Sequence, residues 1–425
     1  MLKERNFDLV IVGGGPAGMA SAIRAYELGV KNILLVDRNP FLGGILPQCI
    51  HSGFGLKIFK KDLTGPEYAQ IFINKIKSTN VDVMLDTIVL NIDRRKNVTF
   101  SNKNDGIKSI KAKAIVLALG CRERTRGSIN MPGDRPSGVF TAGLVQRMVN
   151  IEGYLPGEDV VVLGSGDIGL IMARRLKLEG CNVIGVYELM PFSSGLNRNI
   201  VQCLDDFNIP LMLSHTVTRI YGKRRLEAVE ISKVDKDLNI VPASSFEVSC
   251  DTLLLSVGLI PENEVSKAAG VELDENSGGP IVDENLESSI EGIFVCGNSL
   301  FVNDLVDNVT DDGYIAVDSA VRFLNNKDDY RRNIDIIPGK NVAYIIPQKI
   351  SGYSDVIFRI RAKFPAKNAY IEIPEIGFKR KEKFVLPGEL IFIKVGKEKL
   401  EGFKLSNKKI ITINIKESER YGCDC

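Results

Sequence analysis

The stretch "FDLVIVGGGPAGMASAIRAYELGVKNILLVD" runs from Phe7 to Asp37. Phe7 to Val12 is a short apolar run of strand type. Gly13-Gly14-Gly15-Pro16-Ala17-Gly18 follows, then a helical pattern through Ala22, Ile23, Ala25 and Leu28. A second apolar run, Asn32 to Val36, ends in Asp37 with Arg38 beside it. Strand, glycine turn, helix, strand, acid is the order of a dinucleotide-binding unit. Gly13 permits the tight turn, Gly15 lets the backbone approach a pyrophosphate, and Gly18 lets helix and strand pack closely. Pro16 and Ala17 open the helix, whose positive end faces the phosphates. Asp37 lies 19 residues beyond Gly18, near the ~20 expected of an acid that accepts from ribose hydroxyls.

The pattern returns between Asp159 and Glu188. The loop is Gly164-Ser165-Gly166-Asp167-Ile168-Gly169, a helical pattern follows through Leu170, Ala173 and Leu176, and the next run ends in Glu188. Two units predict two nucleotides. A carboxylate at Glu188 binds a 2′-hydroxyl and repels a 2′-phosphate. Leu189, Met190 and Pro191 follow, with no adjacent arginine to hold that phosphate. The second site is therefore expected to prefer NADH to NADPH. Two further apolar runs end in glycine: Ala114 to Gly120, and Gly292 to Gly297 with Asn298 after it.

Composition sets wide bounds. The chain has 425 residues, 44% hydrophobic and 25% charged, an ordinary globular balance for roughly two to four domains. A net charge of +2 offers no field for nucleic acid. No apolar run reaches the ~18 residues of a membrane helix. Eight scattered cysteines and no secretory signal point to a reducing compartment, so a soluble, cytoplasmic protein is expected. Ile336 to Cys425 carries 18 Lys and Arg against 10 Asp and Glu, leaving 37 against 43 for the rest. Such a step marks a module boundary.

With both glycine units and both linking runs in place, the sequence resembles the two-dinucleotide flavoprotein superfamily that includes thioredoxin reductase and glutathione reductase. The resemblance implies FAD at the first unit and NAD(P)H at the second, on an α/β fold of two Rossmann-like domains. Gly120 falls in its linker motif. Gly258, in Val257-Gly258-Leu259-Ile260-Pro261, falls in the stretch after the pyridine-nucleotide domain. Gly297-Asn298 stands where the superfamily has Gly-Asp. Gly44, Ile45 and Gln48 fall on the flavin side, and Thr310 is expected to cap a closing helix, Thr310 to Leu324, whose N-terminus faces the flavin. The segments "LPQCIHSGFGL", "LTGPEYA", "RPSGVFTAGLVQRMVNIEGYLPG", "GSGDIGLIMARRLKLEG" and "NDLVDNVTDDG" resemble the flavoprotein subunits associated with anaerobic glycerol-3-phosphate dehydrogenase, opine oxidase and hydrogen cyanide synthase. That likeness implies an oligomer and a partner subunit of dehydrogenase type. The expected division is an FAD domain of residues 1–124 and 253–330, an NAD domain of 125–252, and a small antiparallel β module from 336 to 425 that carries "VAYIIPQKI". No metal site is expected.

Disulfide reductases of this superfamily pass flavin electrons to a pair of cysteines, and exchange needs a resolving thiol within bonding reach. Between Leu42 and Leu56 there is only Cys49, with His51 nearby. Cys181 and Cys203 form no CxxC. Cys49 reads either as a small packed residue beside the flavin or as a lone redox thiol activated by His51, and the Cys423/Cys425 pair either as a chain end or as a mobile thiol pair that shuttles electrons outward. Three functions follow: an FAD- and NAD-dependent subunit of a dehydrogenase complex, a self-sufficient reductase of a disulfide or quinone, or a nucleotide-binding scaffold without catalysis.

Overall fold

The strand Asn6–Val12 is buried almost throughout, as a strand covered on both faces should be. In the computed structural model, which describes residues 6–326, 333–404 and 409–417, it is the centre of a parallel sheet. Ile33–Val36 lies on one side and the far half of Gly106–Leu117 on the other. Asp82–Met84 and Ile293–Val295 continue the sheet outward, also parallel. The near half of Gly106–Leu117 turns to antiparallel pairing with Asn97–Asn102, which pairs with Thr87–Ile92. The helix Gly65–Lys77 starts at a capping box, with Thr64 and Glu67 each bonding the other's backbone and so satisfying two orphan donors.

The same plan recurs in the middle of the chain. Val139–Thr141, Thr252–Leu255, Asp159–Leu163, Asn182–Glu188 and Leu211–Leu213 lie side by side, all parallel. His215–Tyr221, Ala228–Lys233 and Phe246–Ser249 form an antiparallel trio. The chain divides into two compact units, one of the residues up to Cys121 together with those from Pro261 onward, the other Arg122–Ile260. Thr252–Leu255, read from the sequence largely as the return into the FAD domain, hydrogen-bonds within the second unit's sheet. A fully apolar run carries no label saying which of two similar sheets will take it.

From Ile334 the chain builds a β module with its own core of Val356, Phe358, Ile360, Ile371, Ile393 and Ile413, among others. It is mixed rather than antiparallel, because Ile334–Pro338 runs parallel to Ile410–Glu417. Sequence reading started the module at residue 336, inside that strand, which opens at Ile334.

Candidate nucleotide-binding sites

In the first unit the glycine loop is dictated by sterics. Gly13 has φ +110°, and a Cβ there would lie 2.2 Å from the Ala118 carbonyl oxygen. A Cβ on Gly18 would lie 1.8 Å from the Gly13 carbonyl oxygen. Gly15 differs: a Cβ there would meet only the Gly44 Cα, at 3.9 Å. Gly13 and Gly18 are thus required by the fold, whereas Gly15 borders open space. Gly15 is also the N-cap of helix Pro16–Glu27 and offers no side-chain cap, which leaves amides of the first turn for an anion. This cradle fits a pyrophosphate.

Asp37 is buried at the end of its strand. Its Oδ2 accepts from the Gly14 amide at 2.5 Å and its Oδ1 from the Asn39 amide at 2.7 Å. The acid therefore ties the glycine loop to the second strand, a role sequence reading did not give it. Each oxygen keeps a further lone pair for a hydroxyl. Arg38 is exposed. The segment after it folds back over the loop, with the Gly43 amide donating to Gly14 O at 2.9 Å and Gly44 against Gly15. Ile45 is exposed, and Gln48 closes the single turn Leu46–Gln48.

Cys49 follows that turn. Its thiol donates to Ile45 O at 3.4 Å, and burial pushes its pKa up to about 12. Such a group is a neutral thiol at neutral pH, not a nucleophile. His51 packs its ring 5.1 Å from that of Phe54. Among the described residues none of the six cysteines forms a disulfide. Cys423 and Cys425 lie outside the described residues.

The closing helix is Val306–Leu324, with Leu305 at its N-cap. Thr310 is therefore not the cap. It sits inside the helix, fully buried, with its hydroxyl 2.8 Å from the Tyr68 hydroxyl. The helix begins a turn earlier than expected: extended Leu305 precedes it without a capping side chain, so the usual Ser/Thr/Asp signal is missing. Asp307 takes the first-turn position and accepts from the Lys57 amide at 2.9 Å. Lys57 also reaches Asn308 at 3.2 Å and pairs with Asp311. Gly297 and Gly313 bring this helix onto the glycine loop. A Cβ on Gly297 would lie 3.1 Å from both Ala17 Cβ and Val309 Cγ1, and one on Gly313 2.4 Å from Ala17 O. Asn298 Oδ1 accepts from the Asn303 amide at 3.0 Å, and its Nδ2 faces Cys121 Sγ at 3.7 Å. Gly120 ends the adjoining run, and a Cβ on it would have open space for at least 4 Å around.

The second unit repeats the loop. Gly164 has φ +94° and its Cβ would lie 2.2 Å from Ser256 O; a Cβ on Gly169 would lie 2.5 Å from Ser256 Cβ. Gly166 is the N-cap of helix Asp167–Leu178, again without a side-chain cap. Glu188 is buried. Its Oε2 accepts from Ser165 N and Oγ at 2.8 and 2.6 Å, and its Oε1 from the Met190 amide at 2.9 Å. Asp167 Oδ1 accepts from the Leu196 amide at 2.8 Å and Asn199 Nδ2 at 2.6 Å, so it anchors the loop that follows Glu188. Ile168 packs on the unit's core. Gly258 is exposed, three residues past the strand Thr252–Leu255, as Gly120 is three past Leu117.

Residues 7–322 match the model of the pyridine nucleotide-disulphide oxidoreductases. The chain belongs to that family. It is 26% identical over 313 residues to an opine oxidase subunit of Agrobacterium tumefaciens, covering 69% of this chain and 61% of that one. It is 25% identical over 283 residues to the hydrogen cyanide synthase subunit HcnB of Pseudomonas protegens, covering 62% and 59%. The chain thus spans about three fifths of the length of these curated relatives. The T. acidophilum thioredoxin reductase structure superposes with a TM-score of 0.61 at 23% identity, covering 76% of this chain and 100% of that one. This likeness shows the fold. Among the described residues no helix is long and apolar enough to cross a membrane, and no group of His, Cys, Asp or Glu could hold a metal ion.

Sequence reading missed Lys57, Tyr68 and Asp307. Tyr68 had a signal: Tyr68, Phe72 and Ile76 make the buried stripe of helix Gly65–Lys77, at the i, i+4 spacing of one helix face.

Proposed function

We propose that this protein exchanges hydride between NAD(H) and FAD and passes the electrons to a partner dehydrogenase subunit, with no thiol relay of its own. FAD is assigned to the site of Gly13, Gly15, Pro16, Ala17, Gly18, Asp37, Gly44, Gly297 and Asn298, and NADH to that of Gly164, Gly166, Asp167, Gly169 and Glu188. When bound, the two nucleotides supply the redox chemistry and the protein supplies position and electrostatics. The observation that carries the reading is Cys49, a buried neutral thiol that is the only cysteine in its segment. With no second cysteine in its segment to resolve a disulfide and its own thiol held neutral by burial, Cys49 is poorly suited to thiol–disulfide exchange, which favours another route for the electrons. Preference for NADH rests on Glu188, which Ser165 and Met190 hold at the strand end. The partner is supported by two relatives that are named as subunits, of opine oxidase and of hydrogen cyanide synthase. Isolating the native assembly under mild conditions and identifying its chains tests the partner. A second chain of dehydrogenase type is expected. A homogeneous assembly of this chain alone that turns over a small disulfide or a quinone with NADH would favour a self-sufficient reductase.

A further inference from the structure

We propose that the C-terminal β module is part of the flavin site: Arg359 and Arg361 reach from it to position the loop Phe301 to Leu305, and through that loop Asn298 and the start of the closing helix. The inference rests on the assignment of FAD to the first site.

One strand of the module alternates between two faces. In Val356–Ala362, the residues Val356, Phe358, Ile360 and Ala362 are buried in the module's own core. Side chains alternate between faces, so Ile357, Arg359 and Arg361 point the other way, where solvent is the ordinary neighbour. Ile357 is 44% exposed. The side chains of Arg359 and Arg361 are only 7% and 13% exposed, because this face meets the first nucleotide domain.

Arg359 Nη2 donates to Asp312 Oδ1 at 2.6 Å, and its guanidinium lies 6.0 Å from the Phe301 ring centroid. Asp312 Oδ2 accepts from Asn303 Nδ2 at 3.3 Å, and the Asn303 amide donates to Asn298 Oδ1 at 3.0 Å. Three hydrogen bonds thus join the module to Asn298. Arg361 uses its whole fork. Nη2 donates to Val302 O at 3.0 Å and Asp304 Oδ1 at 2.6 Å, Nη1 to Pro387 O at 2.9 Å, and Nε to the Tyr344 hydroxyl at 3.0 Å. The other oxygen of Asp304 accepts from the Leu390 amide at 2.7 Å. Asp312 immediately precedes Gly313, where the closing helix meets Ala17 and where Ser21 Oγ donates to the Gly313 carbonyl at 2.9 Å. What Arg359 grips is therefore next to the crossing of the closing helix and the pyrophosphate helix.

Mere attachment does not need this arrangement, since apolar contacts hold modules together without the desolvation cost of two shielded ion pairs. A guanidinium fork adds direction, fixing several acceptors in one plane. Here Arg361 spans the two sides: Val302 O and Asp304 Oδ1 lie in the loop between Asn298 and the closing helix, and Pro387 O and the Tyr344 hydroxyl in the module.

The test uses the full chain carrying Arg359→Gln, Arg361→Ala or Arg361→Lys. FAD affinity, flavin midpoint potential and thermal stability are measured for each. Arg361→Ala and Arg359→Gln are expected to weaken FAD at least tenfold and to change the ratio of its affinities for oxidised and reduced flavin. Each tenfold change in that ratio moves a two-electron potential by about 30 mV. Arg361→Lys keeps the charge but not the fork, and should recover only part of the affinity. Asp312→Asn added to Arg359→Gln removes the stranded carboxylate, and should restore stability while leaving the potential displaced. Variants that melt earlier yet bind FAD with unchanged affinity and potential would overturn the proposal and leave the module a stabilising appendage. If Arg359→Gln does not fold, Arg361→Lys and Tyr344→Phe decide, and wild-type affinity and potential in both would overturn it. Wild-type protein that takes up no FAD would instead overturn the assignment of the first site.

Discussion

The two glycine loops are built alike and braced differently. In each, the first glycine's amide donates to the end of the next strand, Gly13 to Val36 at 2.8 Å and Gly164 to Tyr187 at 2.7 Å. In each, a buried acid from that strand holds a residue of the loop, Asp37 holding Gly14 and Glu188 holding Ser165. Beyond this the surroundings diverge. The first loop is met by Gly43 and Gly44, by Gly297, and by the closing helix at Gly313, which the C-terminal module grips in turn through Arg359. Within its own unit the second loop is met by Ser256 and by the segment Ser193 to Asn199, through Ser165 and Asp167. A ligand enclosed by more segments leaves only when several open together, while one enclosed by fewer leaves when those few open. The difference suits a retained ligand at the first loop and an exchanging one at the second, as the proposed assignment of FAD and NAD(H) requires.

The comparison breaks most visibly at the glycines. Gly18→Val places a branched side chain on the Gly13 carbonyl and should leave no folded first unit. Gly15→Val faces open space and should fold, yet purify without flavin. Soluble yield, circular dichroism and flavin content separate the two, and a Gly15→Val protein that stays fully yellow would remove FAD from this loop. Gly166→Val should keep the flavin and lose reduction by NADH by orders of magnitude.

A smaller effect sharpens the second site. Glu188→Ala should narrow the preference for NADH over NADPH by about tenfold, equivalent to ~1.4 kcal/mol, measured as the ratio of anaerobic flavin reduction rates. Wild-type protein reduced faster by NADPH would reverse the assignment.

A further effect, confined to alkaline pH, treats both units alike. Burial pushes Cys49 in the first unit and Cys250 in the second to about 12, against about 8.5 for a free thiol. The folded protein thus holds these protons more tightly than the unfolded chain. Their contribution to stability is present in full below pH about 8.5 and is lost as pH rises toward 12. Urea midpoints should fall more steeply above pH 9, and Cys49→Ala with Cys250→Ala should flatten that fall. An unchanged slope in the double variant would place the alkaline loss elsewhere.

The glycine loops were legible because their requirement is local: Gly13, Gly18, Gly164 and Gly169 each exclude a Cβ by contact with backbone or with Ser256. Asp37 and Glu188 were legible by spacing but only partly by role, since spacing does not show that loop amides also take the carboxylate. The closing helix was placed a turn late because Leu305 gives no capping signal and the acids at 311 and 312 imitate a first turn. Asp312 is instead deep in the helix, where burial pushes its carboxyl up and Arg359 opposes the shift. Its partner lies 47 residues on, a distance at which no periodicity speaks. The pair of charges in "FRIRA" drew no attention, because a solvated outer face explains such a pair equally well until the fold covers it.

The most direct test concerns Cys49. Cys49→Ala protein loaded with FAD is mixed with NADH in an anaerobic stopped-flow instrument, then assayed for electron transfer to an artificial dye. The expected result is flavin reduction and dye turnover within a few-fold of wild type, under ~1 kcal/mol of barrier, with a small loss of stability from the cavity. A variant that keeps its FAD and is reduced normally, yet loses electron output by orders of magnitude, would make Cys49 the relay and contradict direct transfer from flavin to partner.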